Sequence, residues 1–597
     1  MRLSRLALLA ALFLLPVHLS ADYTLTLLHF NDAESHLLNA GDPETDPATV
    51  PTANANDLAN YGGASRFVTL LKSARAEATT DAVLTISAGD NFQPGLVLDA
   101  SDPVINEANK DGVNYDARVF AKAAADVTVL GNHDFDLGPD YLAGFLDAVH
   151  KDDCPMRTVS CNLDASAVPA LAKNLAPSTV LELGKEKVGV VGATIWYLAN
   201  LSNPGKVVVI DADHDGDTDI DDTALLVQKE IDTLTKQGVN KIILVSHLQN
   251  IRNDQALIRK LRGVDIGISG GGHELLASGS YDAIPGATPP RGDYPLVTGE
   301  DGQPLTDLDG RNVPVVSAGC GLNYLGRLVV RFDDAGNLLE ASGGPLLVNA
   351  LGERAEVPDA VTDQDVINPV YSYIQAYGSK VAAQSDVALD ALRTHVRNAE
   401  TNLGDLVADA LLHGGRVYAA RWKLTHPDVA VLNGGSIRCN SIVQPGNLTN
   451  ISLKNIIPFT NRVALVNQVT PEEFKALAEH MIGEAGSAGG RFGQIAGFRM
   501  VYDAKAPVGQ RIITLVLDDG REIVRDGGIA PEAPTVTFAT VDFLARGGDN
   551  YPFNTAHVGH TDVQQFDALR NYVAEDLKGR ITAARYPEGG LGRILTK

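Results

Sequence analysis

The chain has 597 residues, 45% hydrophobic and 21% charged, with 49 Lys and Arg against 74 Asp and Glu. That composition excludes a disordered chain, and the length is too great for a single core, so two large domains are expected. A formal net charge of −25 argues against a nucleic-acid polymer as partner, and it means that an anionic substrate must be held by local cations.

The first stretch, residues 1–21, carries Arg2 and Arg5, an apolar run from Leu6 to Leu15, and the small residues Ser20 and Ala21. It has the form of a secretory signal peptide cleaved after Ala21, and its apolar run is short for a membrane span. The expectation is an exported protein of the periplasm or the extracellular space, free of the membrane after cleavage. Residues 22–345 alternate strand-like runs (TLTLLHF, AVLTIS, VTVLG, VGVVGAT, KIILVSH, VDIGISG) with helical runs such as ASRFVTLLKSARAEA and TALLVQKEIDTLTKQ. That alternation predicts a layered α/β domain. Residues 346–375 are polar and acidic and predict a connector leading into a helix. Residues 376–597 form a second α/β domain with strands VAVLN, RMVYD and TVTFATVDFL.

Chemistry collects where the first domain's strands end. LTLLHFNDAESHLL delivers Asp32, Glu34 and His36, and LTISAGDNFQPG delivers Asp90. VTVLGNHDFDLG delivers Asn132, His133 and Asp134, IILVSHLQN delivers His247, and IGISGGGHELL delivers His273 behind three glycines. In α/β folds ligands gather outside the carboxyl ends of the strands. One histidine at a strand end is an ordinary polar residue, but five strand ends supplying Asp, Asn or His to one edge call for a cation, because clustered carboxylates repel. Oxygen and imidazole donors together suit divalent Zn, Mn, Fe or Mg.

Four cysteines, Cys154, Cys161, Cys320 and Cys439, fit no zinc spacing. Cys154 and Cys161 are close enough to pair in an oxidising compartment, and equally suited to being free and buried. The run DADHDGDTDIDD places Asp211, Asp213, Asp215, Asp219 and Asp222 at positions one, three, five, nine and twelve of a calcium loop, with Gly216 at position six and Asp217 at seven. A structural calcium ion is expected there; the alternative is a solvated acidic insertion.

In the second domain, NGGSIRCN joins Asn433 and Arg438 to a glycine pair, and Arg397 precedes the amphipathic helical run that begins near Asn402. These residues suit an anion site or a structural turn. IIPFTN carries Phe459, and VDFLARGGDNYPF carries Phe543 and Asp549 around a glycine pair. The two rings suit core packing, or a sandwich around a flat base.

Together these motifs resemble the 5'-nucleotidase family of metallophosphoesterases, of the bacterial UDP-sugar hydrolase and animal ecto-5'-nucleotidase type. The resemblance covers essentially the whole chain after the leader, and GNHDFDLG is its most specific N-terminal mark. It implies a four-layer α/β/β/α metallophosphoesterase domain followed by an α/β nucleotide-binding domain. It implies a two-metal centre with Asp90 as the bridging ligand, Asn132, His247 and His273 completing one metal, and Asp32 on the other. His133, with Asp134 hydrogen-bonded behind it, is implied to stabilise charge or protonate the leaving oxygen. Phe459 and Phe543 are implied as the base-stacking pair, Arg397 and Arg438 as anion clamps, and Asn433 and Asp549 as partners of base and ribose. The chain departs from the family twice at one metal: Glu34 stands where a histidine is usual, and Leu275 where a second ligand is usual. Glu34, Glu274 or His36 are the candidate replacements. The expected activity is release of phosphate from 5'-nucleotides. The same centre would serve a 2',3'-cyclic nucleotide phosphodiesterase or a nucleotide-sugar hydrolase, and the altered metal site leaves open a catalytically impaired nucleotide-binding protein.

Overall fold

The computed structural model describes residues 22–40, 58–352, 354–422, 424–459, 461–487, 489–555 and 558–597, so residues 1–21, expected to be a leader, lie outside the described residues. The first half contains β1 (Tyr23–Phe30), α1 (Ala64–Glu77), β2 (Ala82–Ser87), α2 (Tyr115–Ala123), β3 (Val127–Val129), α3 (Pro139–Lys151), β4 (Arg157–Val159) and β5 (Leu175–Ala176). It continues through β6 (Ser178–Leu183), β7 (Glu186–Thr194), α4 (Ile220–Lys236), β8 (Ile242–His247), α5 (Ile251–Ile258) and β9 (Ile266–Gly270). Then come β10 (Val315–Val316), β11 (Tyr324–Phe332) and β12 (Leu338–Leu347).

These strands form two sheets, ordered β12–β11–β1–β2–β3–β4–β5 and β10–β9–β8–β7–β6. Helices α1 to α3 pack together beside the first sheet, and α4 and α5 pack on the second, giving helix, sheet, sheet and helix layers around one core. β8 is buried along its whole length and pairs in parallel with both neighbours, as its near-continuous apolar run requires. Parallel pairing of β1 with β2, of β2 with β3, and of β8 with β9 brings their carboxyl ends to common edges. The sheets touch at Gly192 of β7, whose carbonyl accepts from Cys161 N at 2.8 Å. A Cβ there would lie 2.3 Å from the Val159 carbonyl oxygen.

The connector forms helix α6 through consecutive turns Ala360–Thr362, Asp363–Ile367, Asn368–Tyr373 and Ile374–Gly378, alternating α and π geometry. Its buried residues Val366, Val370, Tyr373 and Ile374 join the first core. The second half contains α7 (Asn402–Trp422), β13 (Val429–Asn433), α8 (Asn450–Ile456), β14 (Arg462–Val469), α9 (Pro471–Ile482), β15 (Gly493–Ala496) and β16 (Phe498–Tyr502). It ends with β17 (Ile512–Leu517), β18 (Glu522–Arg525), β19 (Gly528–Ile529), β20 (Val536–Val541), β21 (Val558–Gln564) and β22 (Ile594–Thr596). Its larger sheets are ordered β15–β13–β20–β14–β21 and β19–β18–β17–β16–β22, and it has its own core. The halves meet at a buried ion pair, Lys454 Nζ to Asp99 Oδ2 at 3.1 Å. None of the four cysteines forms a disulfide, so Cys154 and Cys161 do not pair. Among the described residues no helix is long and apolar enough to cross a membrane.

Because the sheets touch at Gly192, Gly192→Val should lower the unfolding free energy by about 1–3 kcal/mol through overpacking, read from the denaturant midpoint. A midpoint equal to that of the wild type would show that this contact gives way freely.

Candidate active site

The turns after β1, β2, β8 and β9 carry Asp32, Glu34, Asp90, Gln249 and His273, all with positive φ. Side chains rarely adopt that backbone region, and residues held there cluster at functional sites. The turns hold one another: Asp32 N donates to the Gly89 carbonyl at 3.1 Å, and Glu34 N donates to the Asp90 carbonyl at 3.0 Å. Gly131 is needed where the turn after β3 passes Asp90, since a Cβ there would sit 2.1 Å from Asp90 Oδ1.

The result is three buried carboxylates, with an imidazole on each side of the triangle they form. Donor atoms of Asp32, Asp90 and His247 lie within 4.8 Å of one another, as do those of Asp32, Glu34 and His273, and those of Glu34, Asp90 and His133. His247 Nδ1 faces the Ala88 carbonyl at 2.8 Å, which turns Nε2 toward Asp90 Oδ2 at 3.1 Å and Asp32 Oδ1 at 3.9 Å. Backbone donors complete the frame: Gly271 N to Asp32 Oδ1 at 2.9 Å and His133 N to Asp90 Oδ1 at 2.7 Å.

Burial, together with Asp90 and Glu34, raises the Asp32 carboxyl to about 6 against the pull of His273 and His247. Burial opposes charge on His247 too, but Asp90 and Asp32 outweigh it and hold the ring at about 10. The same contest holds His133 at about 9, burial losing to Asp136, Asp90 and Glu34. Positive charge is therefore demanded at every side of the triangle. The donor set fits divalent cations: oxygen and imidazole donors converge, and the buried His247 Nε2 makes no hydrogen bond.

His273 Nε2 meets the Glu34 side chain at 3.0 Å and groups with it and Asp32. One expectation is corrected by this geometry. Asp134 does not stand behind His133. It turns inward and accepts from Gly131 N at 2.8 Å and Asn91 N at 2.9 Å, bracing the turn. The partner of His133 Nδ1 is Asp136, at 2.6 Å and three residues on, where a 3₁₀ turn eclipses side chains. Asp136 was missed in the sequence, although GNHDFD displays it at that spacing. Of the three candidate replacements only Glu34 joins the cluster. His36 Nδ1 faces the Ala33 carbonyl at 3.2 Å, and Glu274 Oε1 accepts from Ile251 N at 3.2 Å. The Cys320 thiol, also missed, lies against the His273 ring.

Facing this cluster, the second half lines a cleft of about 320 Å³ that both domains share. From the first domain come Asn132, which accepts a hydrogen bond from Gln249, and His133. From the second come Arg397, Asn433, Arg438, Phe459, Phe543 and Asp549. The Phe459 ring lies parallel to His133 across the cleft, centroids 6.3 Å apart, with the Arg438 guanidinium 4.9 Å from the same ring. Asn433 Nδ2 donates to Asp549 Oδ2 at 2.6 Å. Burial raises the Asp549 carboxyl, against Asn433, Arg397 and Arg438.

The acidic run is folded tightly. Oxygens of Asp211, Asp213 and Asp222 converge within 4.8 Å. Asp222 accepts from Ala212 N and Asp213 N, and Asp219 caps α4, accepting from Asp221 N and Asp222 N. Asp215 Oδ1 accepts from Asp217 N at 3.2 Å, and Asp217 is exposed. Asp215, Asp217 and Asp219 thus lie outside the converging trio.

Residues 26–275 match the calcineurin-like phosphoesterase family, and residues 381–556 match the 5'-nucleotidase C-terminal domain. A 5'-nucleotidase of Mus musculus is 30% identical over 550 residues, covering 91% of this chain and 86% of that one. A snake venom 5'-nucleotidase of Crotalus adamanteus is 29% identical over 541 residues, covering 89% and 82%. The crystal structure of a 5'-nucleotidase precursor from Thermus thermophilus superposes with a TM-score of 0.69 at 28% identity, covering 96% of this chain and 99% of that one. The chain belongs to the 5'-nucleotidase family, as a phosphoric ester hydrolase whose phosphoesterase domain is followed by a 5'-nucleotidase C-terminal domain.

Proposed function

We propose that the protein is an exported, metal-dependent 5'-nucleotidase that releases phosphate from nucleoside 5'-monophosphates. One observation carries the reading: a single cleft has Asn132 and His133, from the edge that holds the carboxylate–imidazole cluster, on one wall and two aromatic rings with arginines on the other. Export rests on the form of residues 1–21.

Divalent metal (Zn, Mn, Fe or Mg) would be held at two positions by Asp32, Glu34, Asp90, Asn132, His247 and His273. Metal bound there supplies Lewis acidity toward the phosphoryl oxygens and an activated water. The protein's own groups do the rest. His133 borders the cleft, held at Nδ1 by Asp136 with Nε2 on the side of Gln93 and Glu34, and gives its proton to the departing 5'-oxygen, so that nucleoside leaves neutral. Phe459 and Phe543 clamp the base, Arg397 and Arg438 pair with anionic oxygens, and Asn433 and Asp549 take the polar atoms of base and ribose.

The test is a phosphate-release panel of AMP, UDP-glucose, a cyclic nucleotide and bis-p-nitrophenyl phosphate. AMP should give the highest kcat/KM, and Phe459→Ala should raise its KM roughly 5- to 150-fold while sparing an ester without a base. Equal losses on both would assign the ring to packing.

Metal loading should also release protons. Without a cation His247 keeps its proton up to about 10, whereas a metal-bound ring must be bare, so loading at neutral pH expels that proton. An indicator dye in weak buffer reads the release, and loading without it would contradict the proposed ligand set.

We further propose that the Asp211, Asp213 and Asp222 oxygens hold a structural calcium ion. Calcium binding only to the folded state stabilises it by about 2.7 kcal/mol at a hundredfold excess over Kd. Millimolar calcium should raise the melting midpoint by several degrees, and the Asp211→Ala plus Asp213→Ala variant should lose that gain. An equal gain in the variant assigns the loop to a solvated insertion.

A further inference from the structure

The His133–Asp136 pair does not stand alone. Asp136 spends one oxygen on His133 Nδ1, and its other oxygen, Oδ1, accepts from Ser202 Oγ at 2.7 Å. Ser202 follows the short helix Leu198–Leu201, and its own amide closes that helix on the Leu198 carbonyl at 3.0 Å. The turn it begins is seated as a unit on the turn that carries Asp136. A Cβ added at Gly138 would lie 3.9 Å from Asn203 Nδ2, and one added at Gly205 would lie 3.1 Å from the Pro139 ring.

The other end of this turn is held by the second domain. Asn203 Oδ1 accepts from Arg546 Nη1 at 3.1 Å. Arg546 caps the short helix Asp542–Ala545, and Asp542 Oδ2 lies 4.0 Å from the same guanidinium nitrogen, one turn back. Phe543 sits in that helix, so the segment carrying a candidate base ring also grips the turn that supports Asp136. Arg546, Asn203, Ser202, Asp136 and His133 all border the shared cleft.

We propose that Arg546, Asn203 and Ser202 are positioning residues, a relay through which the C-terminal domain holds Asp136, and through it the His133 ring, in working geometry. The path is continuous: guanidinium to carboxamide, one peptide link to the serine hydroxyl, carboxylate, imidazole. Each link is a directed hydrogen bond or a covalent step, and Asp136 is left with no freedom to rotate away from the ring. A water-bridged or open contact at Asn203 would leave the Ser202 turn anchored on one side only. The relay rests on the reading of His133 as proton donor, while its dependence on Asp136 can be measured without that reading.

The experiment is a mutant cycle on the full chain, with AMP and p-nitrophenyl phosphate as substrates. Ser202→Ala and Arg546→Ala should each lower kcat on AMP roughly 10- to 150-fold, as loss of a hydrogen bond to a charged group does, with KM nearly unchanged. Arg546→Lys, which keeps a donor able to reach Asn203, should recover most of the loss. In an Asp136→Ala background, Arg546→Ala should cost nothing further, because the path is already cut. Multiplying losses in that background would overturn the relay, and so would a raised KM with unchanged kcat, which is the mark of an arginine that merely grips substrate. Melting midpoints of all variants identify any that lost kcat by unfolding; if Arg546→Ala is one, the cycle is read from Asn203→Ala. His133→Ala on the two substrates checks the underlying reading separately. A proton donor matters far more for the nucleoside alkoxide than for nitrophenolate. Equal losses would remove the donor role, while the relay itself stands or falls by the cycle.

Discussion

Three carboxylates packed so that each pair lies close enough to share a cation, out of water, are the constraint on which this structure turns. Ionised carboxylates cost several kcal/mol each to bury, and mutual repulsion adds to that. The fold accepts the arrangement only because every pair of carboxylates shares an imidazole and because backbone amides of Gly271 and His133 point at them. The strained turns follow from the same demand. Asp32, Glu34, Asp90 and His273 could relax to ordinary backbone only by pointing their side chains elsewhere.

A chain with 25 excess negative charges holds its arginines where they count. Arg393, Arg397, Arg438 and Arg546 all border the cleft on the second domain's wall, across from Asn132 and His133. Positive charge thus gathers on one side of the gap. An anionic molecule that reaches the gap finds cations on one side and, in the proposed reading, metal on the other. The domains that form the walls are held together by the buried Lys454–Asp99 pair and by the Arg546–Asn203 bond, so the shape of the gap depends on contacts lying outside it.

Much of this was legible in the sequence because the physics was local. Strand runs such as TLTLLHF and KIILVSH, buried on both faces, form in place, and the polar residues that follow each run arrive at the edge. GNHDFDLG and FLARGGDNY carried the resemblance to the family. What stayed hidden was orientation. Sequence order suggested Asp134 as the neighbour of His133, but in a 3₁₀ turn the third residue along faces the ring, and Asp136 takes the role. Whether Glu34, Glu274 or His36 would fill the place of a missing histidine depended on side-chain reach across two turns. Cys320 and Ser202 lie on segments brought to the site only by tertiary folding, and no local pattern marks them.

Helix α6 has a consequence for how such a chain can be taken apart. Its buried side chains complete the first core, although it looks from the sequence like a tether between two bodies. A cut near residue 346 would therefore strip a wall from the metal-side domain and leave an apolar stripe exposed on whatever followed. The natural seam is the short stretch between Gly378, where the helix ends, and Val381, where the first strand of the second half begins. Chimaeras that exchange the base-recognising half with that of a relative should be joined there, with the helix kept on the side of the half whose core it seals.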